Sequence, residues 1–347
     1  MKKIFKAGWV ILALGAVLAI VGAAFNGVKA VEFNGFKVQT VKKDTAITKT
    51  YAKKEFERIE FVNGSGYFVP MELEIRQGQD YSVSYSGSSR FEPKIDYQNG
   101  TLKVARGQEM HGFSFDFNDY RSKIDSKLII TVPENVKLSF VKVNGNYDNI
   151  KLEKLNIATL ELEANSSEKL SLNEVTTERT DIDMNTDEVT LTNSKLNNGE
   201  LSLVADLVVS GGELTNINVK VDSEGRVYYK DGLVLNGGGT QLADEVYGYE
   251  SDDDNDADND SDYVDNSEPS ADLDADTITI KGKYEIKNNT GVTRIMNATV
   301  QGYRLTNKHG KNNLHDQQQT NGGTLEENAD QADVLTLSSR TGENTVK

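Results

Sequence analysis

The sequence predicts an all-β protein: an antiparallel strand-rich opening region, then a parallel β-solenoid (β-helix-like), preceded by one amino-terminal transmembrane helix. Three observations carry that reading. Apolar residues alternate at period two through Phe56, Ile59 and Phe61, then Met71, Leu73 and Ile75, then Tyr81, Val83 and Tyr85, as half-buried strands require. Beyond Pro133, apolar pairs recur at a step of about 18 to 22 residues, the mark of stacked repeats. Ala7 to Phe25 runs nineteen residues without a charge, directly behind Lys2, Lys3 and Lys6.

As a helix that apolar run measures roughly 28 Å, close to the ~30 Å hydrocarbon core of a bilayer. The lysines ahead of it place the amino terminus in the cytoplasm and the rest of the chain outside. Residues 1–30 are therefore expected to anchor a single-pass cell-membrane protein, with residues 7–25 in contact with lipid. A cleavable signal is the competing reading, because Val28-Lys29-Ala30 offers compact residues for cleavage near Ala30 and hence secretion. The run exceeds the usual signal core of about 7 to 15 residues, which favours the anchor. Residues 31–55 mix lysine, threonine and short apolar steps, and read as a stalk.

Residues 56–137 form the antiparallel opening region. Asn99-Gly100, between Lys94–Tyr97 and Thr101–Val104, is the pair that a two-residue hairpin favours, since both central residues need positive φ. Phe113, Phe115 and Phe117 read as one buried face, and Leu128 to Val132 ends at Pro133, which cannot donate into a ladder. Residues 138–240 hold the solenoid coils. One series of inward pairs is Leu160/Leu162, Ile182/Met184, Leu201/Leu203 and Val219/Val221, and the other is Leu170/Leu172, Val189/Leu191, Leu207/Val209 and Val227/Tyr229. Polar and glycine-rich steps separate them, as stacked coils need. A large β-sandwich of hairpins is the rival architecture.

Residues 241–276 form an acidic insert, and residues 277–347 resume the coils at Ile278/Ile280, Tyr284/Ile286, Tyr303/Leu305 and Leu335/Leu337. The insert is too poor in large apolar residues to order itself. The pattern weakens after Leu314, through Gln317-Gln318-Gln319, and an open solenoid end would leave a bare sheet edge.

The formal charge is −16, but twelve acidic residues lie between Asp252 and Asp276 with no lysine or arginine among them. Without them 42 acidic residues face 38 basic ones, so the body of the protein carries no basic stripe and nucleic acid is excluded as a partner. The chain has no cysteine, which rules out disulfides and a lipid-modified amino terminus and leaves apolar burial to hold the fold.

Candidate chemistry is sparse. His111, His309 and His315 stand in no metal-binding spacing. Gly237-Gly238-Gly239 lacks the lysine of a phosphate loop and reads as a loose turn. Asp181 and Asp183 share an outer strand face, where paired carboxylates divide acid and base roles in glycan cleavage. Alternation alone also explains them, because Ile182 and Met184 point inward. Asp254, Asp256, Asp258, Asp260, Asp262 and Asp265 occupy positions 1, 3, 5, 7, 9 and 12 of a calcium-loop register. Asn259 stands where that loop needs glycine, and Asp265 where it needs glutamate, so a solvated acidic segment is the simpler account and calcium the sole candidate cofactor. Tyr228 and Tyr229, with Tyr247, Tyr249 and Tyr263, read first as core or ladder contacts of strands, with stacking faces for a sugar or a protein as the alternative.

Several short steps carry a resemblance. Ile130-Thr131-Val132-Pro133 closes the opening region, and Ser210-Gly211-Gly212-Glu213-Leu214, Ser223-Glu224-Gly225-Arg226-Val227, Thr290-Gly291-Val292 and Thr341-Gly342-Glu343-Asn344 mark coils. In these the chain after Lys54 resembles the bacterial envelope family of putative-adhesin, LiaG-like β-strand-repeat proteins. Ser166-Ser167-Glu168 and Thr186-Asp187-Glu188 lack the glycine, and the acidic insert departs from the pattern. The resemblance implies a parallel β-solenoid on a Gram-positive surface and supplies no catalytic residues. The expected function is a non-catalytic binding or adhesion module toward cell-wall polymer, surface glycan or a protein partner. The alternative is an accessory of envelope-stress signalling, acting through membrane partners at the span and stalk. A carbohydrate-active β-helix enzyme is the remote third.

Overall fold

The computed structural model describes residues 31–34, 37–40, 44–62, 68–89, 91–105, 114–115, 124–222, 225–242 and 271–347, with four helical positions among 12–17. The fold from Val31 onward is all-β. Twenty-four strands join one continuous hydrogen-bonded sheet, and Val31–Asn34, Lys37–Thr40 and Ser114–Phe115 form a separate three-stranded one. The apolar run 7–25 lies almost wholly outside the described residues. Among the described residues no helix is long and apolar enough to cross a membrane.

The core is a set of columns, each built by parallel pairing of segments about twenty residues apart. On the first face Val143 lies opposite Leu162, Leu162 opposite Ile182, Ile182 opposite Leu201, and Leu201 opposite Val219. On the second face the column runs Leu152, Leu172, Leu191, Val209, Tyr229, Ala275 and Ile295. All of these side chains are buried. A third, shorter face carries Leu196, Leu214, Leu235 and Ile280 in register. Strands as long as Asn156–Asn173 cross from the first face to the second in one sweep. Because side chains alternate along a strand, each face sends every second residue inward, and a one-residue slip would empty the core.

One step differs from the simple reading of apolar pairs. Leu160 lies opposite Thr180 rather than Ile182, while Ala164 lies opposite Met184. Thr180 is 1% exposed, and its Oγ1 is 2.7 Å from Thr177 Oγ1. Two threonines thus satisfy each other in inward positions that the apolar pairs did not mark.

Small or left-handed residues make the corners. Asn198 and Asn216 have φ of 50° and 51°, and Gly237 follows them with 68°. Asn216 Nδ2 donates to Asn198 Oδ1 at 3.3 Å, and Asn198 Nδ2 donates to the carbonyl of Glu178 at 3.0 Å, so the corners bond along the stack. At another corner a Cβ on Gly291 would run into the carbonyl of Ala271, one on Gly342 into that of Gly291, and one on Gly310 into that of Gly342. Only glycine lets those backbones meet. Gly237–Gly239, read from the sequence as a loose turn, is a corner held within the strand Val234–Leu242, with Gly237 and Gly238 at positive φ.

The opening region is mixed rather than antiparallel. Arg58–Val62 pairs in parallel with both Thr101–Ala105 and Lys137–Asn144, and Phe68–Gly78 pairs in parallel with both Lys127–Pro133 and Asn146–Glu153. Among the described residues antiparallel pairing joins Ser82–Ser88 to Lys127–Pro133 and to Ala46–Thr50, Ser114–Phe115 to Val31–Asn34, and Lys94–Gln98 to Thr101–Ala105 through Asn99 and Gly100, both at positive φ. The same period-two pattern serves both pairings, so alternation did not separate them. Ala46–Thr50, expected in the stalk, is hydrogen-bonded to Ser82–Ser88.

At the carboxyl-terminal end Gly323–Glu327 pairs antiparallel with Gly302–Asn307, and Gln317–Thr320 antiparallel with Lys311–Leu314. The expected bare edge is therefore covered by two short polar strands, a common guard against edge-to-edge pairing. The expected boundary at 276 also shifts, because Leu273–Lys281 is one strand with Leu273 and Ala275 buried and Asp274 and Asp276 outward. Those aspartates are the solvent face of a coil.

Candidate functional site

The six aspartates of the calcium register, Asp254 to Asp265, lie outside the described residues, as do His111, Tyr247, Tyr249 and Tyr263. Among the described residues no group of three or more histidine or carboxylate side chains is placed to hold a metal ion. His315 Nδ1 is 3.1 Å from Glu327 Oε2, and its ring meets Tyr303 edge-on at 5.5 Å. His309 donates its backbone N–H to the carbonyl of Arg340 at 2.8 Å.

The outward side of the first face holds the carboxylates that sequence reasoning singled out. Glu161 lies opposite Asp181 and Asp181 opposite Glu200, while Glu163 lies opposite Asp183. Neighbouring strands are about 4.8 Å apart, so these columns repeat negative charge at one strand spacing. Lys142 Nζ donates to Glu161 Oε2 at 3.0 Å, and Lys220 Nζ to Glu200 Oε1 at 2.8 Å. The hydrogen bond to Glu161 holds the Lys142 ammonium above its ordinary pKa. Asn144 Nδ2 donates to Glu163 Oε2 at 2.8 Å. Asp181 and Asp183 line a shallow depression of about 200 Å³ with Lys142, Glu161 and Glu163. Farther along the face a second depression of about 250 Å³ forms where Gly238 and Gly239 bring no side chains.

The second face is less charged at its middle. Thr190, Val208, Tyr228, Asp274 and Arg294 follow one another in register. Arg294 Nη1 meets Asp274 Oδ1 at 3.3 Å. Of the paired tyrosines Tyr228 faces outward, half-buried, whereas Tyr229 is in the core. Burial raises the Tyr229 pKa well above its ordinary value and that of Tyr284 to about 12. Tyr229 therefore belongs to the core and offers no stacking face.

Glu74 was missed by sequence reasoning. Its side chain is only 5% exposed, 2.6 Å from Lys127 Nζ and 2.9 Å from Arg76 Nη1. Burial pushes its pKa up, but the hydrogen bond and charge of Lys127, with Arg76 and Lys151, outweigh it and hold the carboxyl below the usual range. The alternation Glu72-Leu73-Glu74-Ile75-Arg76 marks Glu74 as outward, and the cation that covers it comes from a strand fifty residues on, roughly, which no local pattern shows.

The profile of the Toastrack DUF4097 family matches residues 69–347. The chain belongs to this family. The Toastrack match takes in every column described above and leaves out the strands Val31–Asn34, Lys37–Thr40, Ala46–Thr50 and Arg58–Val62. Solved structures similar to this Toastrack chain include a putative adhesin from Bacteroides fragilis, 11% identical, covering 87% of this chain and 97% of that one with a TM-score of 0.35. A putative adhesin from Parabacteroides distasonis is 8% identical with the same coverage and a TM-score of 0.37. A putative lipid binding protein from the same species is 13% identical, again covering 87% and 97%, with a TM-score of 0.32. No curated protein matches the chain.

Proposed function

We propose that this Toastrack protein is a non-catalytic, membrane-anchored module of the cell envelope. Its stacked coils form a β-solenoid that binds cell-wall polymer, a surface glycan or another protein through its outward faces. Residues 7–25 hold it in the bilayer, and the domain lies outside the cell. The observation that carries the reading is the in-register column Glu161, Asp181 and Glu200, with Glu163 and Asp183 beside it. A flat surface that repeats carboxylates at one strand spacing, with Lys142 and Lys220 paired to the outer two, suits a partner that is itself repetitive. The depressions along it are shallow and lined by side chains of ordinary surface kind. The test is retention of the purified ectodomain on isolated cell walls. Retention at low salt that falls as salt rises supports a charged face as the contact, and no retention at low salt refutes the reading.

A further inference from the structure

The last strands of the chain are not last in the stack. Val334–Ser339 lies between Lys283–Asn288 and Gly302–Asn307, parallel to both. Glu343–Val346 lies between Val292–Thr299 and Lys311–Leu314, again parallel to both. This rung, 334–346, enters between two rungs that precede it in sequence.

The register around it is the same on either side. Leu335 lies opposite both Tyr284 and Tyr303, and Leu337 opposite both Ile286 and Leu305. Val346 lies opposite both Ile295 and Leu314. If the rung withdraws, Tyr284 meets Tyr303, Ile286 meets Leu305 and Ile295 meets Leu314, with every inward residue still inward. Withdrawing a strand from a sheet ordinarily leaves two unpaired edges, each with orphan backbone donors and acceptors. Here the two edges match and close on each other, as a stack one rung shorter. The connector, residues 328–333, reads Asn-Ala-Asp-Gln-Ala-Asp, carries no large apolar side chain, and is exposed or half-exposed throughout. A withdrawn rung meets the same slot in a second copy and regains the same contacts there, so exchange costs little beyond reconnecting the linker.

We propose that the carboxyl-terminal rung, residues 334–346, exchanges between copies of this chain to give a strand-swapped pair. The partner is a second copy of the protein, and the contact is the slot between the rungs that start at Lys283 and Gly302. The inference is independent of what the outward faces bind.

The chain contains no cysteine, which makes a disulfide test clean. Lys287 and Ser338 lie directly opposite each other, with their side chains outward. Opposed residues on neighbouring strands sit about 4.8 Å apart at Cα, inside the range a disulfide spans. Full-length Lys287→Cys and full-length Ser338→Cys, mixed and then oxidised, are expected to give a mixed covalent dimer several-fold more abundant than the self-dimer of either variant alone. The double variant Lys287→Cys/Ser338→Cys, oxidised before mixing, closes within one copy and is expected to abolish exchange. A mixed dimer no more abundant than the self-dimers, with the double variant closing normally, would overturn the proposal. Failure of the double variant to close at all would overturn the placement on which it rests. Amide exchange of the unmodified chain gives a second reading: residues 334–346 are expected to exchange faster than Thr176–Thr192, and equal protection would also count against exchange.

Discussion

Tyr229 and Tyr284, both fully buried, share one hydrogen-bond partner: Thr240 Oγ1 is 2.8 Å from each phenol oxygen. Three hydroxyls close a small polar network inside an otherwise apolar column, with Thr240 supplied by the strand Val234–Leu242. Val in place of Thr240 keeps the shape and removes the hydroxyl that both phenols share, leaving them only each other, so that one of the two O–H groups has no acceptor. Thr240→Val is expected to lower stability by about 2 kcal/mol, the scale of leaving one buried donor unpaired. Tyr284→Phe removes one hydroxyl, keeps the Tyr229 bond, and is expected to cost about 1 kcal/mol. Urea unfolding checks both, as a lower midpoint at an unchanged slope.

Glu74 sets a pH dependence. Its folded pKa is depressed by Lys127, Arg76 and Lys151, so the stability it contributes is present above the ordinary glutamate pKa and is lost as pH falls through the lower folded value. Lys127 has the opposite sign: its pKa is raised by Glu74 and Glu72 against the opposing effect of burial, so its contribution holds below the ordinary lysine pKa and fades as pH rises through the higher folded value. Glu74→Gln is expected to be about 1 to 2 kcal/mol less stable than the parent near neutrality, a figure kept small because both cations are partly exposed. The gap should narrow as pH drops below the usual glutamate range. Equal gaps at neutral and strongly acidic pH would contradict the assignment.

The glycine column separates close approach from backbone strain. Gly291 has the carbonyl of Ala271 where a Cβ would go, while Gly282 has open space but a φ of 70°. Gly291→Ala is expected to cost about 3 kcal/mol through forced separation of two coils, and Gly282→Ala about 1 kcal/mol through its left-handed backbone alone. Thermal or urea unfolding of the two variants checks the order.

These energetics also show what was legible in the sequence. The second-face series, Leu170/Leu172 through Val227/Tyr229, sits in the register its spacing suggested, because every inward position there is apolar. The first face was harder, since Thr180 fills an inward position there by bonding to Thr177. The order of the final rungs was not legible at all. Tyr284/Ile286, Tyr303/Leu305 and Leu335/Leu337 carry the same alternation, and nothing local says which lies beside which. Asp181 and Asp183 were correctly placed outward, but the neighbours that make a column of them, Glu161, Glu163 and Glu200, come from other coils and appear only once the register is fixed.

That column gives the sharpest separation of fold from function. Asp181 and Asp183 are exposed and line the shallow depression beside Lys142, without a buried contact that the core depends on. Replacing both by lysine should change unfolding free energy by no more than about 0.5 kcal/mol per site, the usual range for surface positions. It also reverses two charges in the middle of the repeating face. If that face carries the proposed contact, Asp181→Lys/Asp183→Lys should shift retention on cell walls at least several-fold at low salt, and the difference should shrink at high salt as charges are screened. Asp181→Asn/Asp183→Asn removes the two charges without reversing them, and Thr190→Lys tests an added lysine on the second face. Equal retention of the parent and the aspartate variants would move the binding surface off the first face, while a shift confined to the aspartate variants, at unchanged stability, would place it there.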